Sequence, residues 1–133
     1  MDDTADILLI ADILLIEDSQ SQALSFKLML ERAGYSVAVA GDGVAGWRQA
    51  CATNPRMILL DIDLPSLDGY QVLGRLKRHR LTAPIPVVML THRDNVDSVQ
   101  RAIDLGADDY LFKDDATLEL CATVAQALEQ AAR

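Results

Sequence analysis

Three carboxylates, a hydroxyl and an ammonium fall in this sequence where short apolar runs stop. Glu17-Asp18 follows DILLI (12–16), Asp61 follows MILL (57–60), Thr91 follows PVVML (86–90) and Lys113 follows YLF (110–112). Brought together, three carboxylates repel one another, and at least one acquires a raised pKa. A hard divalent cation relieves that conflict, and Mg2+ suits oxygen ligands with some water retained. The same cation neutralises an incoming phosphoryl group, whose oxygens a lysine ammonium and a threonine hydroxyl can hold. These residue types therefore support Mg2+-assisted handling of a phosphoryl group, provided the chain brings them to one place. The competing reading is a solvated acidic rim with a lone structural lysine.

The elements needed to bring them together are legible. The runs at 12–16, 36–40 (SVAVA), 57–60, 86–90 and 110–112 are continuously apolar rather than alternating, which predicts strands buried on both faces. Amphipathic stretches near 20–33, 44–53, 69–79, 95–105 and 116–131 predict helices between and after them. Gly34 and Gly106 stand where glycines end helices, and Asn54-Pro55 stops another. The result is a (βα)5 order, an α/β doubly wound domain with a parallel sheet. In such sheets ligands bind outside the carboxyl ends of the strands, where the strand order reverses. The five residues above all sit at such ends.

With 133 residues the chain is one domain, and 50% hydrophobic content with only 5% aromatic predicts a core of Leu, Ile, Val and Ala. A net charge of -8 repels a phosphate backbone and argues against direct nucleic-acid binding by this domain. Cys51 and Cys121 lack metal-ligand spacing and are expected to fill the core in a reducing cytosol. The hexapeptide ADILLI occurs twice, at Ala5–Ile10 and Ala11–Ile16, and only the second copy runs into Glu17-Asp18 and, through Ser19, into a helix. Residues 1–11 are therefore expected to be an N-terminal extension and 12–133 the domain. An internal first strand has both neighbours taken, so the first copy should not add a sixth strand to its own sheet. It should pack on the surface or join another chain. The apolar run is broken by Asp6 and Asp12 and is far shorter than the ~20 residues of a spanning helix. Without a basic leader it predicts no membrane association and a cytoplasmic protein.

Four segments carry a resemblance: LLIEDS (14–19), ILLDIDLPSLDGY (58–70), VVMLTHRD (87–94) and GADDYLFKD (106–114). Over residues 12–131 the chain resembles a receiver domain of bacterial two-component response regulators. The resemblance implies a five-stranded sheet in the order 2-1-3-4-5 and a phosphoprotein carrying an aspartyl phosphate on Asp61. It implies Mg2+ held by Asp18, Asp61 and the backbone carbonyl of Asp63, with Glu17 acting through water. Thr91 and Lys113 would contact the phosphoryl oxygens, and Tyr110 would be the switch aromatic. Asp63 and Arg93 would flank the path of the hydrolytic water and tune the lifetime, Arg93 by shielding it. The implied donor is a histidine kinase or phosphotransfer protein, and the output a partner or a further domain outside this chain. The domain would not be an enzyme in the ordinary sense, although its own residues would assist phosphorylation and dephosphorylation.

Three positions depart from the family pattern. Asp114 stands where a proline usually follows the lysine, so the Lys113–Asp114 bond is expected to be trans. His92 replaces the usual small residue after Thr91, and TLELCATVAQALEQAAR offers only Arg133 as a base for salt-bridged pairing through the last helices. Two rivals use the same letters. Apolar-Asp-x-Asp at 60–63 is also the nucleophile motif of haloacid-dehalogenase-type phosphatases, with Asp61 as nucleophile and Asp63 as acid; that motif opens its domain, whereas Asp61 ends a third strand. A binding module that is never phosphorylated is the other. GDGVAG (41–46) spells a dinucleotide fingerprint but follows the second strand rather than the first, so it reads as a turn. Trp47 and the leucines of 24–30 read as core and partner surface, and His79 as a solvated helix end.

Overall fold

A computed structural model describes residues 11–65, 67–92 and 96–132. Ala5–Ile10 and Arg93 lie outside the described residues. The elements in chain order are β1 (Ile13–Ile16), α1 (Gln20–Arg32), β2 (Val37–Ala40), α2 (Gly43–Thr53), β3 (Met57–Asp61) and α3 (Gly69–Arg78). They continue with β4 (Val87–Thr91), α4 (Val96–Asp104), β5 (Asp109–Phe112), a 3-10 turn (Lys113–Asp115) and α5 (Ala116–Ala131). The strands form one parallel sheet in the order β2-β1-β3-β4-β5. This is the order expected from the resemblance.

Alternate residues of each continuous apolar run serve opposite faces. Ile13, Leu15, Met57, Leu59, Val88 and Leu90 pack under α1 and α5 with Phe26, Leu30, Leu120 and Val124. Leu14, Ile16, Ile58, Leu60, Val87 and Met89 pack under α2, α3 and α4 with Ala50, Val72, Leu73, Leu76 and Ala102. The three inner strands are buried along their whole length, whereas the edge strands β2 and β5 are buried only in part. That difference follows from their having a neighbour on one side only. The second ADILLI copy supplies β1, enclosed by β2 and β3.

Helix ends follow the punctuation. Gly34 and Gly106 take φ of +99° and +106°, and Asn54 a left-handed φ of 50°. Asp42 of GDGVAG caps α2 by accepting from the Ala45 N–H at 2.8 Å. A Cβ on Gly46 would lie 2.5 Å from Ile16, so that glycine serves helix–sheet packing and not a pyrophosphate. No cis peptide bond occurs among the described residues, and Lys113–Asp114 is trans.

Two expectations are not met. Cys121 is exposed and Cys51 is only half-buried. The buried stripe of α5 is Ala116, Leu120, Val124 and Ala127, and Cys121 lies one residue off it. His79 is also less solvated than expected: it caps α3 and packs edge-on against Trp47 at 5.3 Å between ring centroids. No helix among the described residues is long and apolar enough to cross a membrane.

Candidate functional site

Adjacent parallel strands with short turns at their carboxyl ends bring the acids together. β1 leads into Glu17, whose N–H donates to the Ala40 carbonyl at 3.0 Å and so carries the sheet one residue further. Asp18 follows on the surface, and Ser19 in extended conformation caps α1 by accepting from the Gln22 N–H at 3.3 Å. Asp61 is the last residue of β3 and is 2% exposed; Glu17 is also 2% exposed. One oxygen from each of Glu17, Asp18 and Asp61 falls within 4.8 Å of the others.

Lys113 closes the site from the far edge of the sheet. It opens the 3-10 turn after β5, and its Nζ lies 3.0 Å from Glu17 Oε1 and 3.2 Å from Asp61 Oδ2. A third donor direction reaches Gln22 Oε1 at 2.9 Å. One ammonium thus faces two buried carboxylates, with Asp18 beside them. Burial pushes the Glu17 carboxyl up to about 8, the bond to Asp61 adds to the rise, and the Lys113 bond only partly offsets it. Burial works against the Lys113 ammonium, but its bond to Glu17 and the charge of Asp61 outweigh that and hold it above the ordinary lysine value.

The loop after β3 is drawn tightly over the strand end. The Asp63 N–H donates to Asp61 Oδ1 at 3.1 Å, and the Gly69 N–H donates to the Ile62 carbonyl at 2.9 Å. A Cβ at Gly69 would stand 2.4 Å from the Asp61 carbonyl oxygen, so only glycine lets α3 start there. Asp63 itself is exposed. Thr91 ends β4 and is buried, its hydroxyl donating to the His92 carbonyl at a long 3.4 Å. Tyr110 is 37% exposed on β5, packed edge-on against Phe112 at 5.4 Å. His92 is exposed.

Glu17, Asp18, Asp61 and Lys113 therefore meet as the strand ends predicted. Thr91 stands at the same edge, while Tyr110 points to solvent. Gln22 and Gly69 were not anticipated. Gln22 is an ordinary first-turn polar residue until Lys113 arrives from 91 positions away. Gly69 carried a signal, since a glycine right after an N-cap aspartate is a poor helix former and needs a packing reason. The donor set is all oxygen and in excess of the one ammonium, which fits a hard divalent cation.

A family model described as "Response regulator receiver domain" matches residues 13–125. Among curated relatives, the "DNA-binding dual master transcriptional regulator RpaA" of Synechocystis sp. is 40% identical over 121 residues, 91% of this chain and 50% of that protein. The "Transcriptional regulatory protein HprR" of Escherichia coli is 42% identical over 118 residues, 89% of this chain and 52% of that protein. The chain thus spans about half the length of these relatives. Among solved structures, a putative response regulator from Chloroflexus aurantiacus superposes with a TM-score of 0.85 at 32% identity, covering 88% of this chain and 96% of that one. The signal receiver domain of a histidine kinase from Syntrophus aciditrophicus gives 0.82 at 32% identity, covering 90% and 91%.

Proposed function

The chain belongs to the response regulator receiver domain family of two-component signalling, and from that premise we propose that Asp61 is its phosphoacceptor. The donor is a phosphohistidine on a histidine kinase or phosphotransfer protein. An Asp61 carboxylate oxygen forms the new O–P bond as the N–P bond to the donor imidazole breaks, and the imidazole leaves with a proton. The observation that carries this reading is the buried Asp61 carboxylate at the end of β3, 3.2 Å from Lys113 and beside two further carboxylates.

Mg2+ bound here supplies charge neutralisation for the transferring oxygens. Asp18, Asp61 and the Asp63 carbonyl would hold it, with Glu17 acting through water. Lys113, already within ion-pair distance of Asp61, moves its ammonium onto a phosphoryl oxygen. Thr91 exchanges a weak bond to its neighbour's carbonyl for one to the phosphoryl group. Tyr110, exposed on the edge strand, follows Thr91 inward and changes the surface formed by β4, α4 and β5. Asp63 and Arg93 set how long the phosphoryl group survives. In this reading the signalling domain occupies residues 12–133 of a cytoplasmic protein, residues 1–11 are an extension, and output passes to a partner or a further domain.

The test is intact mass after incubation with a small phosphodonor, with and without Mg2+. Wild type should gain one phosphoryl group only with Mg2+, and Asp61→Asn should gain none. Equal gain in Asp61→Asn removes the assignment. Steady hydrolysis of a phosphate ester would favour the phosphatase reading instead.

A further inference from the structure

On the face of the sheet opposite α1 and α5, an open groove of about 320 Å3 runs between α3 and α4. Its walls carry Arg75, Arg78 and Arg101, and Leu67, Tyr70 and Leu105 supply apolar surface. The groove runs against the charge of the chain, which has 20 acidic and 12 basic residues, four of the latter in RLKRHR (75–80). Lys77 of that run is committed elsewhere, to the Ala83 and Ile85 carbonyls and to Asp108. The three arginines are not. Among the described residues none of them forms an ion pair with a carboxylate. Arg101 lies over the Tyr70 ring, with its guanidinium carbon 4.1 Å from the ring centroid.

Three arginines beside apolar surface, one of them held over Tyr70, recognise an anion that also has apolar side chains. We propose that this groove binds an acidic, leucine-bearing segment of a partner protein. Its carboxylates would take Arg75, Arg78 and Arg101 in forked hydrogen bonds, and its leucines would cover Leu67, Tyr70 and Leu105. A nucleic acid fits less well, because a long polyanion would run past the three arginines onto the acidic remainder of the chain, whereas a short acidic segment ends within the groove. A nucleotide fits less well because Tyr70 packs against the core and already carries Arg101, so no ring is left for a base. The proposal does not depend on phosphoryl transfer.

The probe is a short fluorescein-labelled peptide of glutamates with leucines four apart, titrated with the unphosphorylated chain at low and high salt. Anisotropy should saturate, weaken with salt, and shift amide resonances within 67–78 and 101–105. The double reversal Arg75→Glu/Arg101→Glu should weaken binding by about tenfold or more, as close charge pairs at interfaces do. Leu105→Asp, which leaves the arginines in place, should weaken it as well. Unchanged affinity in both variants overturns the proposal, as do amide shifts confined to another face. So does equal binding of an all-glutamate peptide, or displacement of the probe by ATP or a short DNA strand at lower concentration. Self-association of the chain that both variants abolish would assign the groove to a second copy instead.

Discussion

Both ends of this sheet carry a lysine tied to an aspartate, and the two ends behave differently. At the amino end Lys77 Nζ donates to the Ala83 and Ile85 carbonyls at 3.2 and 2.9 Å and to Asp108 Oδ2 at 3.2 Å. Asp108 in turn accepts from the Val87 N–H at 2.8 Å. One cation meets one anion, every remaining donor finds a backbone group, and the carboxylate is partly in water. At the carboxyl end Lys113 meets Glu17 and Asp61, both buried, with exposed Asp18 alongside. The residue types match; the charge count does not. A balanced pair fastens α3 to the starts of β4 and β5, whereas an excess of buried carboxylates leaves a demand for positive charge. That demand is what a metal ion and a phosphoryl donor can meet.

Replacing each lysine separates the two ends. Lys113→Met leaves two buried carboxylates facing each other, and removing one partner of such a set costs about 3–5 kcal/mol when both are ionised. The loss should be greatest near pH 9 and smaller at pH 6, where one carboxyl takes up a proton; urea unfolding at the two pH values measures it. Lys77→Met deprives two carbonyls of a donor at a cost of about 1–3 kcal/mol. That loss should be nearly the same at both pH values, and phosphorylation should be retained. A pH-independent loss in Lys113→Met would mean that the carboxyl end is balanced after all.

A smaller effect concerns the unaltered chain. Glu17 has a folded pKa of about 8 against an ordinary value of 4.5, so the metal-free native state holds an extra proton between those limits. Stability should therefore fall as pH rises from about 5 to 8 and level off above it. Mg2+ should restore more stability at the top of that window than at the bottom, as the urea midpoint will report. Asp108→Asn should leave the slope unchanged.

Much of the carboxyl end was legible because strand ends are written into the sequence. The apolar run MILL gives way at Asp61 to a charge that can stay buried only with partners, so the acid marks the end of β3 and thereby one corner of the site. Glu17, Thr91 and Lys113 yield to the same reasoning. Gln22 does not, since its role depends on a contact between the first helical turn and a residue just past the edge strand β5. The Lys77–Asp108 strap was hidden for a similar reason: a lysine in RLKRHR reads as one more solvated charge until the loop after α3 folds back beneath it. The exposure of Cys121 turns on one step of helical phase, a finer matter than amphipathic pattern resolves. The 3-10 turn at Lys113–Asp115 is three residues long, too short to leave a periodic pattern in the sequence.

The most direct test of the imbalance is where the phosphoryl group lands. After reaction with a small phosphodonor and Mg2+, an acyl phosphate can be reduced with borohydride, which converts the modified aspartate to homoserine. Peptide sequencing by mass spectrometry then locates it. The account predicts homoserine at position 61 and at no other aspartate. Homoserine at position 108, at position 18, or spread over several exposed acids would contradict it.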